Sequence, residues 1–489
     1  MGGLHTACAC RNTTFARDVK RLFTEKKHHR RDVNPKIADD RLLGRLVKIG
    51  EWRAVADRFR QLPPLLRQGR IQGANLMTVD VVGVRPPPAI GDRLRIGPAS
   101  EGTMAEIVSV GQAMASCVIF GDTARIAAGE VVELQPASGI RVGDGWRGRV
   151  VDPLGRPMDG GGPLRGGQAE RMTRTAAPPA ATRQRLGPPL GVGVRAIDAF
   201  CTMREGQRLG LFAASGIGKS TLLSTMARAA AFDTVVLGLI GERGRELREF
   251  IEDDLGPEGL ARSVVVCATS DAPAAMRREA AYASLAVAEH FRDSGQRVLL
   301  LLDSVTRFAL ACREIGLAAG EPPATRGYPP SVFRELPALL ERAGPGGPGC
   351  GSITALITVL VEGDDHDEPI ADAVRGILDG HVVLDRRIAE GGRYPAVDVL
   401  RSLSRTVPGC LNAEQAALMR RARKVLALRD EVADLVRLGA YRPGTDAETD
   451  AALRAAPGIE QMLQQARGEV STLEEAFSRL AQALSDAGV

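Results

Sequence analysis

From Leu42 onward the apolar positions Leu42, Leu46, Ile49, Trp52, Val55 and Phe59 recur at steps of three and four, with Arg41, Arg45, Lys48, Arg53 and Arg58 between them. That period places the apolar set on one face of a helix, and Pro63-Pro64 ends it. An amphipathic helix is therefore expected over 36–65, packed on its own domain or offered to a partner. The pattern then shortens. Apolar runs at Met77–Val84, Arg93–Ile96, Ala105–Val110, Ser116–Phe120 and Val131–Leu134 are separated by Gly and Pro, which predicts a small β-barrel over 66–137. A third regime follows, in which short apolar runs (Leu209–Phe212, Thr234–Ile240, Val264–Cys267, Val298–Leu302) alternate with helical stretches such as Pro273–Arg292. This βα alternation predicts an α/β domain with a parallel sheet over 138–411. From about Leu411 the period is helical throughout. A bundle is expected over 412–489, with helices at 418–438, 447–456 and 459–486 around the turn at Gly439–Asp446.

Candidate chemistry sits at the strand ends of the third regime. Ala213-Ala214-Ser215-Gly216-Ile217-Gly218-Lys219-Ser220-Thr221 follows one apolar run and opens a helical stretch. This strand, glycine loop, helix order is the setting of a phosphate-binding loop, whose backbone N–H groups converge on an anion. Ser215, Gly216, Ile217, Gly218 and Thr221 form its cradle, Lys219 reaches the outer phosphates, and the Ser220 hydroxyl is the magnesium ligand. The usual pattern has glycine where this chain has Ala213. Glu242 ends the next strand, where it can orient an attacking water or simply be a surface acid at a helix start. Asp303 ends Arg297–Leu302 and has the form of a second magnesium-site residue. In Tyr394–Arg405, Tyr394 either stacks on a base or packs in a core. Arg405 either stabilises transition-state charge or pairs with an acid.

Composition narrows the classes. The charge is +5 and aromatics are 4%, a poor basis for binding nucleic acid. The eight cysteines are scattered and give no metal spacing or disulfide scaffold, which favours a reducing cytoplasm. No apolar run approaches a membrane span. Residues 1–35 are basic, with Lys26-Lys27-His28-His29-Arg30-Arg31, and read as a solvated tail or an electrostatic contact with lipid or an acidic partner.

Three stretches resemble one family closely: 301–344 (LLDSVTRFALACREIGLAAGEPPATRGYPPSVFRELPALLERAG), 361–381 (VEGDDHDEPIADAVRGILDGH) and 394–405 (YPAVDVLRSLSR). They are similar to the ATPase of the bacterial flagellar type III export apparatus, a relative of the rotary F-type catalytic subunit, over about residues 40–465. The resemblance implies a RecA-like P-loop ATPase core with an N-terminal β-barrel and a C-terminal helical domain, using ATP and Mg2+. It implies that Lys219 and Ser220 serve phosphate and metal, that Glu242 is the catalytic carboxylate, and that Arg243 is its phosphate-side neighbour. It makes Asp303 the second magnesium residue, Tyr394 the adenine-stacking side chain, and Arg405 an arginine finger for the neighbouring subunit. The implied assembly is a homohexamer at the cytoplasmic face of the membrane. The implied partners are a stator-like negative regulator on the N-terminal helix, a central coiled-coil stalk subunit, the membrane export gate, export chaperones and flagellar cargo. The virulence secretion ATPase shares this chemistry and is the nearest alternative. A synthase catalytic subunit and a hexameric nucleic-acid translocase are more distant ones.

Overall fold

The computed structural model describes residues 67–488, except 86, 99–101, 123–125, 136–138, 168–169, 215, 230 and 362–367. The basic tail and the amphipathic helix expected at 36–65 lie outside the described residues, as does Ser215.

Six short strands close into an antiparallel barrel: β1 (Gln68–Ala74), β2 (Thr78–Val82), β3 (Arg93–Ile96), β4 (Thr103–Val110), β5 (Met114–Ile119) and β6 (Val131–Leu134), in the order β1-β2-β5-β4-β3-β6. Closure leaves no free edge. Alternate residues point inward, so Ile71, Val79, Val81, Leu94, Ile96, Ala105, Ile107 and Cys117 form a core of their own. All five expected runs coincide with strands, and β1 adds the partner that closes the ring. Polar Gln68, Arg70 and Gln72 alternate with its inward residues and hid it from an apolar-run reading.

The next layer is a sheet whose main strands are β7 (Arg149–Val151), β8 (Arg208–Ala213), β9 (Thr234–Glu242), β10 (Ser263–Thr269), β11 (Arg297–Asp303), β12 (Ser352–Leu360), β13 (Gly380–Leu384) and β14 (Val397–Ser404). Their order is β14-β13-β8-β12-β11-β9-β10-β7, parallel except for β14. Both faces are covered. Val235, Leu237, Leu239, Leu299 and Leu301 enter one core, while Val236, Ile240, Val298, Leu300 and Leu302 enter the other. Burial on two faces explains why these strands read as unbroken apolar runs, each fully buried side chain contributing ~1.5–3 kcal/mol. The helices that matter for the site are α1 (Arg195–Phe200), α2 (Lys219–Ala227), α3 (Gly244–Glu249), α4 (Ala274–Asp293) and α5 (Val305–Ala318).

The helical domain consists of α6 (Ala413–Arg437), α7 (Ala447–Leu463) and α8 (Leu473–Ser485). Two expectations are corrected here. The helix expected to stop at Ala456 continues through Pro457 to Leu463, because its face of Ala452, Ala455, Ala456, Ile459 and Met462 stays buried across the proline. The single stretch expected over 459–486 is two helices separated by residues 464–472. Thr472 starts the second with a reciprocal capping box to Glu475.

Candidate active site

In a parallel sheet, ligands gather outside the carboxyl ends of the strands. Four neighbouring ends meet here. β8 runs into the glycine loop and α2, so Lys219 opens the helix directly above the sheet. Gly216 and Gly218 have φ of 80° and 89°, in the left-handed region that favours glycine. At Gly218 a Cβ would also stand 3.3 Å from the Tyr394 ring. Ile217 is buried and anchors the loop from below. Ala213 needs no such freedom: it is the last residue of β8, and its carbonyl accepts from Val361 N–H at 3.1 Å. A methyl is accommodated there because the position is ordinary strand.

β9 ends in a bulge. Gly241 has φ 69°, a Cβ on it would press on the Arg307 side chain at 3.3 Å, and the pairing with β10 slips between Ile240 and Glu242. The slip delivers the Glu242 carboxylate to Lys219, whose Nζ lies 3.2 Å from Glu242 Oε1 and 2.7 Å from Asp303 Oδ1. The hydroxyl of Thr358, on β12, donates to the same Asp303 oxygen at 2.6 Å. One ammonium thus sits between two carboxylates in a half-closed site. Burial alone would push Lys219 down, but Asp303 and Glu242 more than offset it and hold the ammonium above its ordinary pKa. Burial pushes the Glu242 carboxyl up. Lys219 opposes that rise and the Asp303 charge adds to it, leaving Glu242 above the usual carboxylate range.

Next to the glycine loop lies a cavity of about 670 Å³, lined among others by Gly218, Thr221, Tyr394, Arg195, Gln464 and Gln465. Tyr394 is 45% exposed, with its ring against Gly218, so its face is open to a flat ligand and it is not a core residue. The volume is within the range of small-ligand sites. Ser220 is exposed on the first turn of α2.

Lys219, Glu242 and Asp303 are therefore brought together, with Gly216, Ile217, Gly218, Ser220, Thr221 and Tyr394 around them. Two residues expected at the site stand apart. The Arg243 side chain is 79% exposed and donates to Glu246 on α3 at 2.9 Å. Arg405 follows β14, which runs antiparallel to β13. Val397 pairs with Leu384 at the carboxyl edge, while Ser404 pairs with Gly380 at the amino edge. About 13 Å of strand separates these edges. Arg405 is exposed and donates weakly to the Arg375 carbonyl at 3.4 Å. Sequence reasoning missed Arg307, in the first turn of α5, whose charge acts on Glu242 and whose buried Nε has no hydrogen-bond partner. Its spacing of four from Asp303 was the available signal. Thr358 had none, because it comes from a strand 55 residues away in sequence.

Comparison with known proteins identifies the family. Residues 193–404 match the ATP synthase alpha/beta family nucleotide-binding domain, and 411–482 match the T3SS EscN ATPase C-terminal domain. The chain is 48% identical over 439 residues to the flagellum-specific ATP synthase of Caulobacter vibrioides, covering 88% of this chain and 99% of that protein. It is 46% identical over 418 residues to the type 3 secretion system ATPase of Xanthomonas euvesicatoria, covering 84% and 94%. The assembled ATPase EscN from the enteropathogenic E. coli type III secretion system superposes with a TM-score of 0.78 at 39% identity, over 85% of this chain and all of that one. Matches of this identity across nearly whole chains, joined to a lysine and two carboxylates gathered at the strand ends, place the chain in the family of flagellum-specific ATP synthases and type 3 secretion ATPases, and make it an ATPase.

Proposed function

We propose that this chain is the ATP-hydrolysing subunit of a flagellar type III export apparatus, acting in a homohexamer whose sites lie between neighbouring subunits. The observation that carries the reading is the split between the two sheet edges. Lys219, Glu242 and Asp303 converge at the carboxyl edge, while Arg405 stands exposed at the amino edge, out of reach of its own site. An arginine there serves hydrolysis only in another subunit's site, and head-to-tail contacts of that kind close into rings.

Magnesium fits the donor set: the exposed Ser220 hydroxyl and the Asp303 carboxylate would hold it, the latter through water. When bound, it supplies positive charge to the phosphate oxygens. The chain's own residues do the rest. Backbone N–H groups of the glycine loop hold the phosphates, and Lys219 neutralises their outer oxygens. Tyr394 stacks against the base. The Glu242 carboxylate orients a water for in-line attack and receives its proton, a role for which a raised pKa is suited. Arg405 from the neighbour stabilises the charge on the transferring phosphoryl group. Exported proteins and their chaperones, a membrane gate and a regulator bound to the N-terminal helix are the proposed partners. EscN has been determined in complex with its central stalk EscO, and a stalk-like subunit is proposed to contact the helical domain here. No described helix is long and apolar enough to cross a membrane. A peripheral position at the cytoplasmic face of the membrane completes the reading.

The test mixes two inactive variants. Arg405→Ala and Lys219→Ala should each lose on the order of 10³-fold or more in turnover. Mixed rings should recover activity wherever an intact arginine faces an intact lysine. Absence of recovery in rings shown to contain both variants would overturn action between subunits. The Xanthomonas relative and EscN keep a virulence secretion role as the second reading. A deletion strain that keeps its flagella but loses effector secretion would favour it.

A further inference from the structure

Arg195 is among the largest fully buried side chains, at 2% exposure, and none of its charge is spent on the phosphate site. It stands at the start of α1, in the nucleotide-binding domain, yet all its side-chain partners belong to the helical domain. Nε donates to the Met462 carbonyl at 2.9 Å, Nη2 donates to the Gln464 carbonyl, and Nη1 pairs with Glu469. Met462 and Gln464 lie at the carboxyl end of α7, where carbonyls have no intrahelical donor and a cation is favoured. Backbone contacts complete the arrangement. The Arg195 N–H donates to Gln465 Oε1 at 3.0 Å, and Gln465 Nε2 donates to the Gly193 and Glu469 carbonyls at 2.7 Å each. The Gln465 N–H donates to the Tyr394 carbonyl at 2.7 Å. Farther along the loop, Arg467 donates to Asp254 Oδ1 at 3.0 Å.

From the segment fixed in this way, residues 464–467 and Glu469 line the cavity beside Tyr394, together with Arg195 itself. A connection between two helices has thereby become one wall of a pocket in a different domain. The guanidinium holds it with a planar fork that stays charged at any working pH and reaches three acceptors at once. Without that fork, two helix-end carbonyls and a carboxylate lose their partner together. Lys219, Glu242 and Asp303 make no hydrogen bond to the segment.

We propose that Arg195 is a positioning residue that seats the loop between α7 and α8 as the base-side wall of the nucleotide pocket, so that the helical domain sets nucleotide affinity without acting on the hydrolytic step. The inference rests on the nucleotide-site reading above. Contacts at the base are the same in ground and transition states, so losing them raises KM and leaves kcat in place.

The experiment measures KM and kcat for ATP, and the affinity for a fluorescent ATP analogue, on the full chain. Arg195→Ala should raise KM and the analogue Kd by about tenfold or more, with kcat within about threefold of the native value. Arg195→Lys should fall between, since one ammonium cannot span three acceptors. Glu469→Gln, at a partly exposed position and keeping the side-chain shape, should raise both constants by about three- to fivefold and decides the matter if Arg195→Ala does not fold. Lys424→Ala, which breaks an exposed ion pair within the helical domain, should leave both unchanged. A folded Glu469→Gln or Arg195→Ala protein with native KM and Kd, or with kcat reduced at constant KM, overturns the proposal. Lys219→Ala separates the two failures. If it weakens the analogue while the Arg195 and Glu469 variants do not, the clamp is wrong and the site stands. If none of them weakens it, the site reading itself has failed.

Discussion

Two clusters of buried charge lie on the same sheet and behave differently. At its carboxyl edge, Lys219 is shared by Glu242 and Asp303, with Arg307 nearby. On the flank carrying α4, the Arg342 guanidinium meets Glu289 through two bonds of 2.8 Å and donates to the Thr173 carbonyl. Close by, Glu106 of the barrel forms ion pairs with Arg278 and Arg174, and Arg93 of the barrel pairs with Glu279. In the flank cluster every carboxylate has a guanidinium within 3.0 Å, Glu106 two of them, and the cluster joins the barrel to α4. The edge cluster opens onto a cavity, and one ammonium divides its charge between two acids, one of them displaced above its ordinary range. Burial of charge alone does not mark a functional site. An acid left short of counter-charge beside a large open cavity does.

The largest effect expected from breaking this contrast is at Glu242. Glu242→Gln keeps the shape and removes the proton acceptor, so turnover should fall about 10²–10⁴-fold while the fluorescent ATP analogue binds as before. Native turnover in this variant would remove Glu242 from the chemistry. In the native protein, activity should decline on acidification through a pKa above the usual glutamate value, because the base must be ionised. An acid limb at or below that value would contradict the environment assigned to Glu242.

The flank cluster should respond in stability instead. Arg342→Met leaves Glu289 buried without its bidentate partner, which costs about 3–5 kcal/mol. Replacing both as Arg342→Met with Glu289→Leu should recover much of the loss, since the pair then leaves together. Denaturant midpoints measure both, and turnover per folded molecule should stay near native. If Arg342→Met instead abolished turnover in a fully stable protein, the division between a structural and a reactive cluster would collapse.

The sequence made one side of this contrast readable and hid the other. Lys219 and Asp303 each follow a strand whose apolar run is unbroken, so the run itself says where the chain emerges from the sheet. Glu242 was legible for the same reason, with Gly241 marking the bulge that turns it. Arg307 was visible only as spacing. The flank cluster could not be read, because Arg342 finds Glu289 53 residues away and Arg278 finds a barrel acid. The same holds for Arg195 and Glu469, 274 residues apart. The break at 464–472 was hidden because the apolar period continues across it, and only the capping box at Thr472 records it. Local pattern reports elements and strand ends, while pairing between distant segments is decided by packing.

The smallest effect concerns a buried acid belonging to neither cluster. Asp198, on α1, is fully buried, and its Oδ1 accepts from the Val192 N–H at 2.8 Å while Oδ2 has no partner. With no cation to hold its charge, burial pushes the carboxyl up to about 7 from 3.8, against the pull of the backbone N–H groups at 192–194. The folded state then binds a proton more readily than the unfolded chain between those two values. Stability from this group is fully present below the unfolded value and is lost as pH rises through 7. Asp198→Asn keeps an acceptor for Val192 and cannot ionise. Its unfolding midpoint should therefore decline less between pH 5 and pH 8 than the native midpoint does, a difference on the order of 1–3 kcal/mol. The remaining decline belongs in part to Glu242, whose raised pKa acts with the same sign. Identical pH profiles for the two proteins would mean that Asp198 has its counter-charge after all, and that it belongs with the paired acids of the flank.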